Sequence, residues 1–170
     1  PVVPPPVSLS DPPTDPWIES ALANGITPVG ISASGDCFIT RWVTSRSQDA
    51  SSNPDDSVLD IQKVTVPDTF ADDLAVGFPA LFGGWKAADD PAENEPPVPP
   101  EVLTPSILKD WIYGIMLDYQ RDARITNVST LKDSLQVELA SSPAGRFVAT
   151  IPLDVIEGAH QFAAGIRQVG

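Results

Sequence analysis

Residues 104–119 read "TPSILKDWIYGIMLDY", and their spacing leaves the backbone little choice. Thr104 supplies a cap, and Pro105 suits the first helical position, where its missing N–H would have no partner anyway. Ile107, Leu108, Trp111, Ile112, Ile115, Met116 and Tyr119 then fall at i, i+1, i+4, i+5, i+8, i+9 and i+12. That is one continuous apolar stripe along a helix, and a stripe of this width has to be covered. These side chains are therefore read as core rather than ligand contacts. Gly114 inside the helix costs on the order of 1 kcal/mol relative to alanine, which predicts the close approach of another backbone there.

The cover is predicted from strands. Val29, Ile31 and Ala33 alternate up to a turn at "SGD", and Phe38, Thr40, Trp42 and Thr44 alternate on the return. A second hairpin is spelled by Leu135, Val137 and Leu139, a Ser-Pro-Ala-Gly turn, and Phe147, Ala149 and Ile151. Phe162, Ala164 and Ile166 alternate again near the last residue, where a chain with no partner is usually polar and frayed. The predicted fold is α+β, a mostly antiparallel sheet built from hairpins with one long amphipathic helix packed on it.

Around this frame, residues 1–16 are proline-rich and read as a linker or arm, and residues 17–170 as a single domain. "DPWIESALANG" predicts a short helix capped by Asp15, opened by Pro16 and ended by Gly25, with Trp17, Ala21 and Leu22 on its buried side. Pro67 is expected to divide the next helical stretch into pieces at 57–64 and 68–76. Residues 83–100, "GGWKAADDPAENEPPVPP", have no periodicity and read as an acidic, proline-rich solvated loop. Trp85 beside that loop is either an exposed anchor for another chain or a ring buried under it.

Composition excludes several classes of function. The formal charge is −13, and residues 1–104 carry 16 Asp+Glu against 4 Lys+Arg, so a phosphate backbone would be repelled and no nucleic-acid partner is expected. Residues 105–170, with 7 acidic against 6 basic side chains, are better placed for close contact with another protein surface. No run of 18 or more apolar residues exists, so no membrane insertion by a helix is expected. The opening "PVVPPPVSLSDPP" has neither the basic nor the apolar region of a secretory signal and no initiator Met, so either processing or a longer parent polypeptide is expected. The single Cys37 cannot form an internal disulfide and reads as a half-buried structural thiol.

Chemistry has little to build on. A hydrolase would need Cys37 and His160 to meet, and His160, the only histidine, alternates in step with Phe162 as a packed or interfacial ring. The acid pairs Asp55-Asp56, Asp72-Asp73 and Asp89-Asp90 lack the spacing of a calcium loop and read as solvated charge. "GFPALFGGW" lacks the Lys-Ser/Thr of a phosphate loop. No catalytic residue, cofactor or metal site is expected.

The order of landmarks carries a resemblance. "GITPVGISASGDCFITRWVTSRSQDA", then "DDSVLDI", "VLTPSILKDWI" and "LQVELASSPAGRFVATIPLDVI" resemble, in that order, the C-terminal half of the tail sheath protein of contractile-tailed bacteriophages, its Mu-like branch in particular. Each motif is short, and their order and spacing over residues 17–169 carry the specificity. The chain departs from the family pattern in "TSRS", where a Tyr is usual, in Pro67, and in "EPPVPP", which lengthens the loop before the long helix. The resemblance implies a structural subunit, or a segment of one, with no active site. Its partners would be other copies of itself in stacked hexameric rings and the tail tube protein. Its place would be the virion tail, assembled in the host cytoplasm. Contraction would drive the tube into the host, and strands exchanged between neighbours would link the rings by main-chain hydrogen bonds. Phe162, Ala164, Ile166, Arg167 and Val169 would then form the subunit interface, with the chain from about residue 163 pairing with an adjacent copy. The alternative is a baseplate or capsid accessory binding module.

Overall fold

The computed structural model describes residues 14–32, 35–55 and 57–157. The described residues gather into two compact units, one from those up to Thr65 together with Glu157 and one of residues 66–156.

In the first unit, helix α1 (Asp15–Ala23) has Pro16 in its first turn as expected, but its N-cap is Thr14 rather than Asp15, and no side chain bonds the cap. Only Ala21 and Leu22 are buried, while Trp17 is 54% exposed. Gly25 adopts φ +70°, and a Cβ there would stand 2.8 Å from the Thr44 carbonyl oxygen, so this turn requires glycine twice over. Strands β1 (Val29–Ile31) and β2 (Cys37–Ile39) pair antiparallel, with Gly30 opposite Phe38, whose ring covers the glycine. The predicted hairpin stops at Ile39. Beyond it the chain turns to a different partner: the Thr44 N–H donates to the Leu59 carbonyl at 2.7 Å, and Val43 bridges Asp60. Cys37, expected half-buried, is exposed, because β2 presents every one of its side chains to solvent.

The second unit is built on two helices. Helix α2 (Gln62–Phe82), which begins at the end of the first unit's sequence, is continuous through Pro67 and Pro79, where separate pieces were expected. Each proline removes one backbone donor, and burial compensates: Phe70 is 2% exposed and meets the ring of Tyr119 edge-on at 5.0 Å. Strand β3 (Lys86–Ala87) runs parallel to β4 (Val102–Leu103), which leads into α3 (Pro105–Arg121). Thr104 caps α3 and is 1% exposed. Strand β5 (Ile125–Thr126) pairs antiparallel with β8 (Asp154–Val155). Between them lie α4 (Val128–Leu131), a 3-10 turn at Lys132–Ser134, and the hairpin of β6 (Gln136–Leu139) and β7 (Phe147–Thr150). In that hairpin Val137 stands opposite Ala149 and Leu139 opposite Phe147.

The expected fold class is overturned. Among the described residues helix makes up 38% against 18% strand. The described strands form four separate two-stranded sheets instead of one broad antiparallel sheet, and α3 is accompanied by a second, longer helix. The reason is length: strands of two to four residues offer too few ladder bonds to recruit further neighbours, so the helices supply most of the cover. The core holds Phe70, Leu103, Leu108, Ile112, Met116, Tyr119, Ile125, Val128 and Leu135.

Candidate functional site

The striped helix delivers its side chains to the interior of the second unit. Leu108, Ile112, Met116 and Tyr119 are buried, and Ile107, Trp111 and Ile115 pack half-buried at the margin. Gly114 is exposed, and a Cβ there would meet nothing within 4 Å, so the expected backbone approach does not occur. The close contact lies on α2, where a Cβ on Gly77 would come within 2.9 Å of the Trp111 ring.

Where α2, α3 and the β6–β7 hairpin meet, they leave a groove of about 470 Å³. Leu74, Phe78 and Pro79 form one wall, Leu108, Trp111 and Ile112 the floor, and Phe147, Ala149 and Ile151 the other wall. Arg146 is the one charged side chain on its lining. An aromatic cluster flanks the groove: Phe82 meets Phe78 at 5.8 Å, Trp111 at 5.4 Å and Trp85 at 5.2 Å. Trp85 is thus neither a free anchor nor a buried ring, at 38% exposure with one edge on Phe82. A lining of this kind is complementary to apolar and aromatic surfaces.

Polar contacts tie the acidic loop to α3. The Asp90 carboxylate accepts the Ser106 N–H at 3.1 Å and the Ser106 hydroxyl. Burial pushes this carboxyl up, and the hydrogen bonds from the Ser106 side chain, Thr104 and the Ser106 backbone outweigh it, leaving it below its usual range. The loop therefore begins with a fixed point at the positive end of a helix. Nearby in sequence, Ala92 donates to the Glu95 carboxylate at 3.2 Å.

The first unit has a polar hollow of about 430 Å³, with Glu19, Arg41, Ser47 and Asp55 on its lining. Its charges are engaged. Arg41 reaches Asp60 at 3.1 Å and Glu157 at 3.7 Å, and Arg46 reaches Asp55 at 3.0 Å. Asp60 is 3% exposed and also accepts the Gln62 N–H at 3.0 Å, which caps the start of α2.

Among the described residues no group of His, Cys, Asp and Glu could hold a metal ion. No described helix is long and apolar enough to cross a membrane. Cys37 is described and exposed, while His160 lies outside the described residues. So do the expected interface residues Phe162, Ala164, Ile166, Arg167 and Val169. The groove itself was missed in the sequence; the charge-free run Leu-Ala-Val-Gly-Phe-Pro-Ala-Leu-Phe at the end of α2 was the signal that could have found it. No protein-family model matches the chain, and no curated protein matches it.

Proposed function

We propose that the chain is a structural segment of a contractile phage tail sheath. It polymerises with other copies of itself around the tail tube, in stacked hexameric rings, and works by strand exchange between neighbours. The observation that carries this reading is the open edges. All described strand pairs are two-stranded, so each strand has one side with no described partner. Such ribbons are marginal alone and accept a further strand readily. The order of sequence motifs over residues 17–169 supports the same reading. In this role the protein does mechanical work: energy is held in a metastable arrangement of repeated interfaces and released when a better-packed arrangement becomes accessible. The rings would be built in the host cytoplasm and serve in the virion.

Truncation after Ala163 tests it. The shortened chain should keep its circular dichroism spectrum and lose the ability to form tubes in electron micrographs of particles assembled with the tail tube protein. Tubes of normal appearance from the truncated chain would sink the linking role. A few copies at one end of a tail, in place of an outer cylinder, would favour a baseplate accessory module.

A further inference from the structure

The aromatic groove and the proline-rich loop are complementary surfaces of the same unit. We propose that residues 96–100, "PPVPP", of one copy dock in the groove of a second copy, with Arg146 facing the acidic flank of the incoming loop. This goes beyond the strand exchange proposed above and concerns a different surface.

The loop has the right chemistry to be bound. Four of its five central residues are proline, so it favours the extended polyproline conformation and loses little entropy on docking. Residues 96–99 carry no regular secondary structure, and their side chains are exposed except for half-buried Val98. Prolines at 96 and 99, and at 97 and 100, repeat the P-x-x-P spacing that aromatic grooves recognise. Glu93, Glu95 and Glu101 surround them with negative charge.

The groove has the matching features. Phe78, Trp111 and Phe147 give it aromatic walls and floor, and Pro79 extends them. Arg146 is exposed, and no acidic partner pairs with it among the described residues. A lone cation on an apolar groove, in a chain of net charge −13, favours an acidic ligand. The loop of the same copy is not on the lining: it is pinned at Asp90 to Ser106 and returns through β4. The occupant that the charges favour is the loop of another copy, whose Glu93, Glu95 and Glu101 complement Arg146. Exchanged reciprocally, each loop in the other's groove, the contact closes as a twofold dimer; made one way, it is head-to-tail and extends into a ring or a filament.

The test uses the full chain and a labelled synthetic peptide of residues 93–101, followed by fluorescence anisotropy. Saturable binding is expected, weakened roughly tenfold by Arg146→Glu and abolished when the peptide's prolines are replaced by alanine. A full chain carrying Arg146→Glu should bind again to a peptide in which Glu93, Glu95 and Glu101 are lysine. No saturable binding at millimolar peptide, or binding indifferent to both Arg146→Glu and the prolines, overturns the proposal. Either failure leaves the sheath reading intact, since that is judged by tube formation after truncation.

Discussion

At the scale of single residues, the acid pairs show how far local reading reaches. All three pairs read as solvated charge, yet one member of each makes a specific bond: Asp55 to Arg46, Asp73 to Tyr119, and Asp90 to Ser106. The partners lie 9, 46 and 16 positions away, separations at which spacing carries no information. Tyr119 shows the consequence for stability. Burial, then the hydrogen bond and negative charge of Asp73, push its hydroxyl up to about 12, against Arg124 over its ring, which lowers it. A raised folded value means that the contribution is complete below about pH 10, where the unfolded tyrosine ionises, and is lost as pH climbs toward 12. Tyr119→Phe should therefore cost about 1–2 kcal/mol in urea unfolding at neutral pH and flatten the alkaline decline between those values. An unchanged alkaline limb would mean that the phenol is not what titrates.

Between elements, the facing of α2 and α3 reverses an expectation about glycine. A helix carries an interior glycine at a cost, so local reasoning makes Gly114 the point of close approach. It faces open space instead, and Gly77 on the opposing helix is the residue that lets Trp111 in. The two should respond oppositely to alanine. Gly114→Ala should stabilise the fold by about 0.5–1 kcal/mol by removing backbone freedom from the unfolded chain. Gly77→Ala should destabilise it and shift the Trp111 fluorescence, since the ring must move to admit a methyl group. Chemical denaturation of both variants, with emission spectra, checks the pair; equal effects of the same sign would contradict the geometry. Pro67 teaches a related lesson. Local rules place a helix boundary there, and the buried Phe70 three residues later outweighs them.

For the whole molecule, charge is the governing quantity. A formal charge of −13 makes copies repel at neutral pH, and in the proposed sheath that repulsion would keep free subunits apart until assembly contacts form. That repulsion vanishes near the isoelectric point of about 4.1. Light scattering should accordingly rise as pH is lowered toward 4 and fall again when the pH is restored; constant scattering through that range would show that charge does not govern association. The same acidification protonates carboxylates such as Asp90, whose depressed value makes its stabilising contribution disappear as pH falls through it.

The amino-acid sequence alone determined the long helix with its threonine cap and apolar stripe, and the alternation that pairs Val137 with Ala149 and Leu139 with Phe147. These are periodic features, written in neighbouring residues and stabilised by contacts that repeat every turn or every second position. Only the tertiary structure decided that α2 runs through two prolines, that β3 pairs parallel with β4, that the strands stay in separate ribbons, and that a groove remains beside Trp111. Each of these depends on burial between segments far apart in the chain, and that free energy exceeds local propensity without leaving a mark on local spacing.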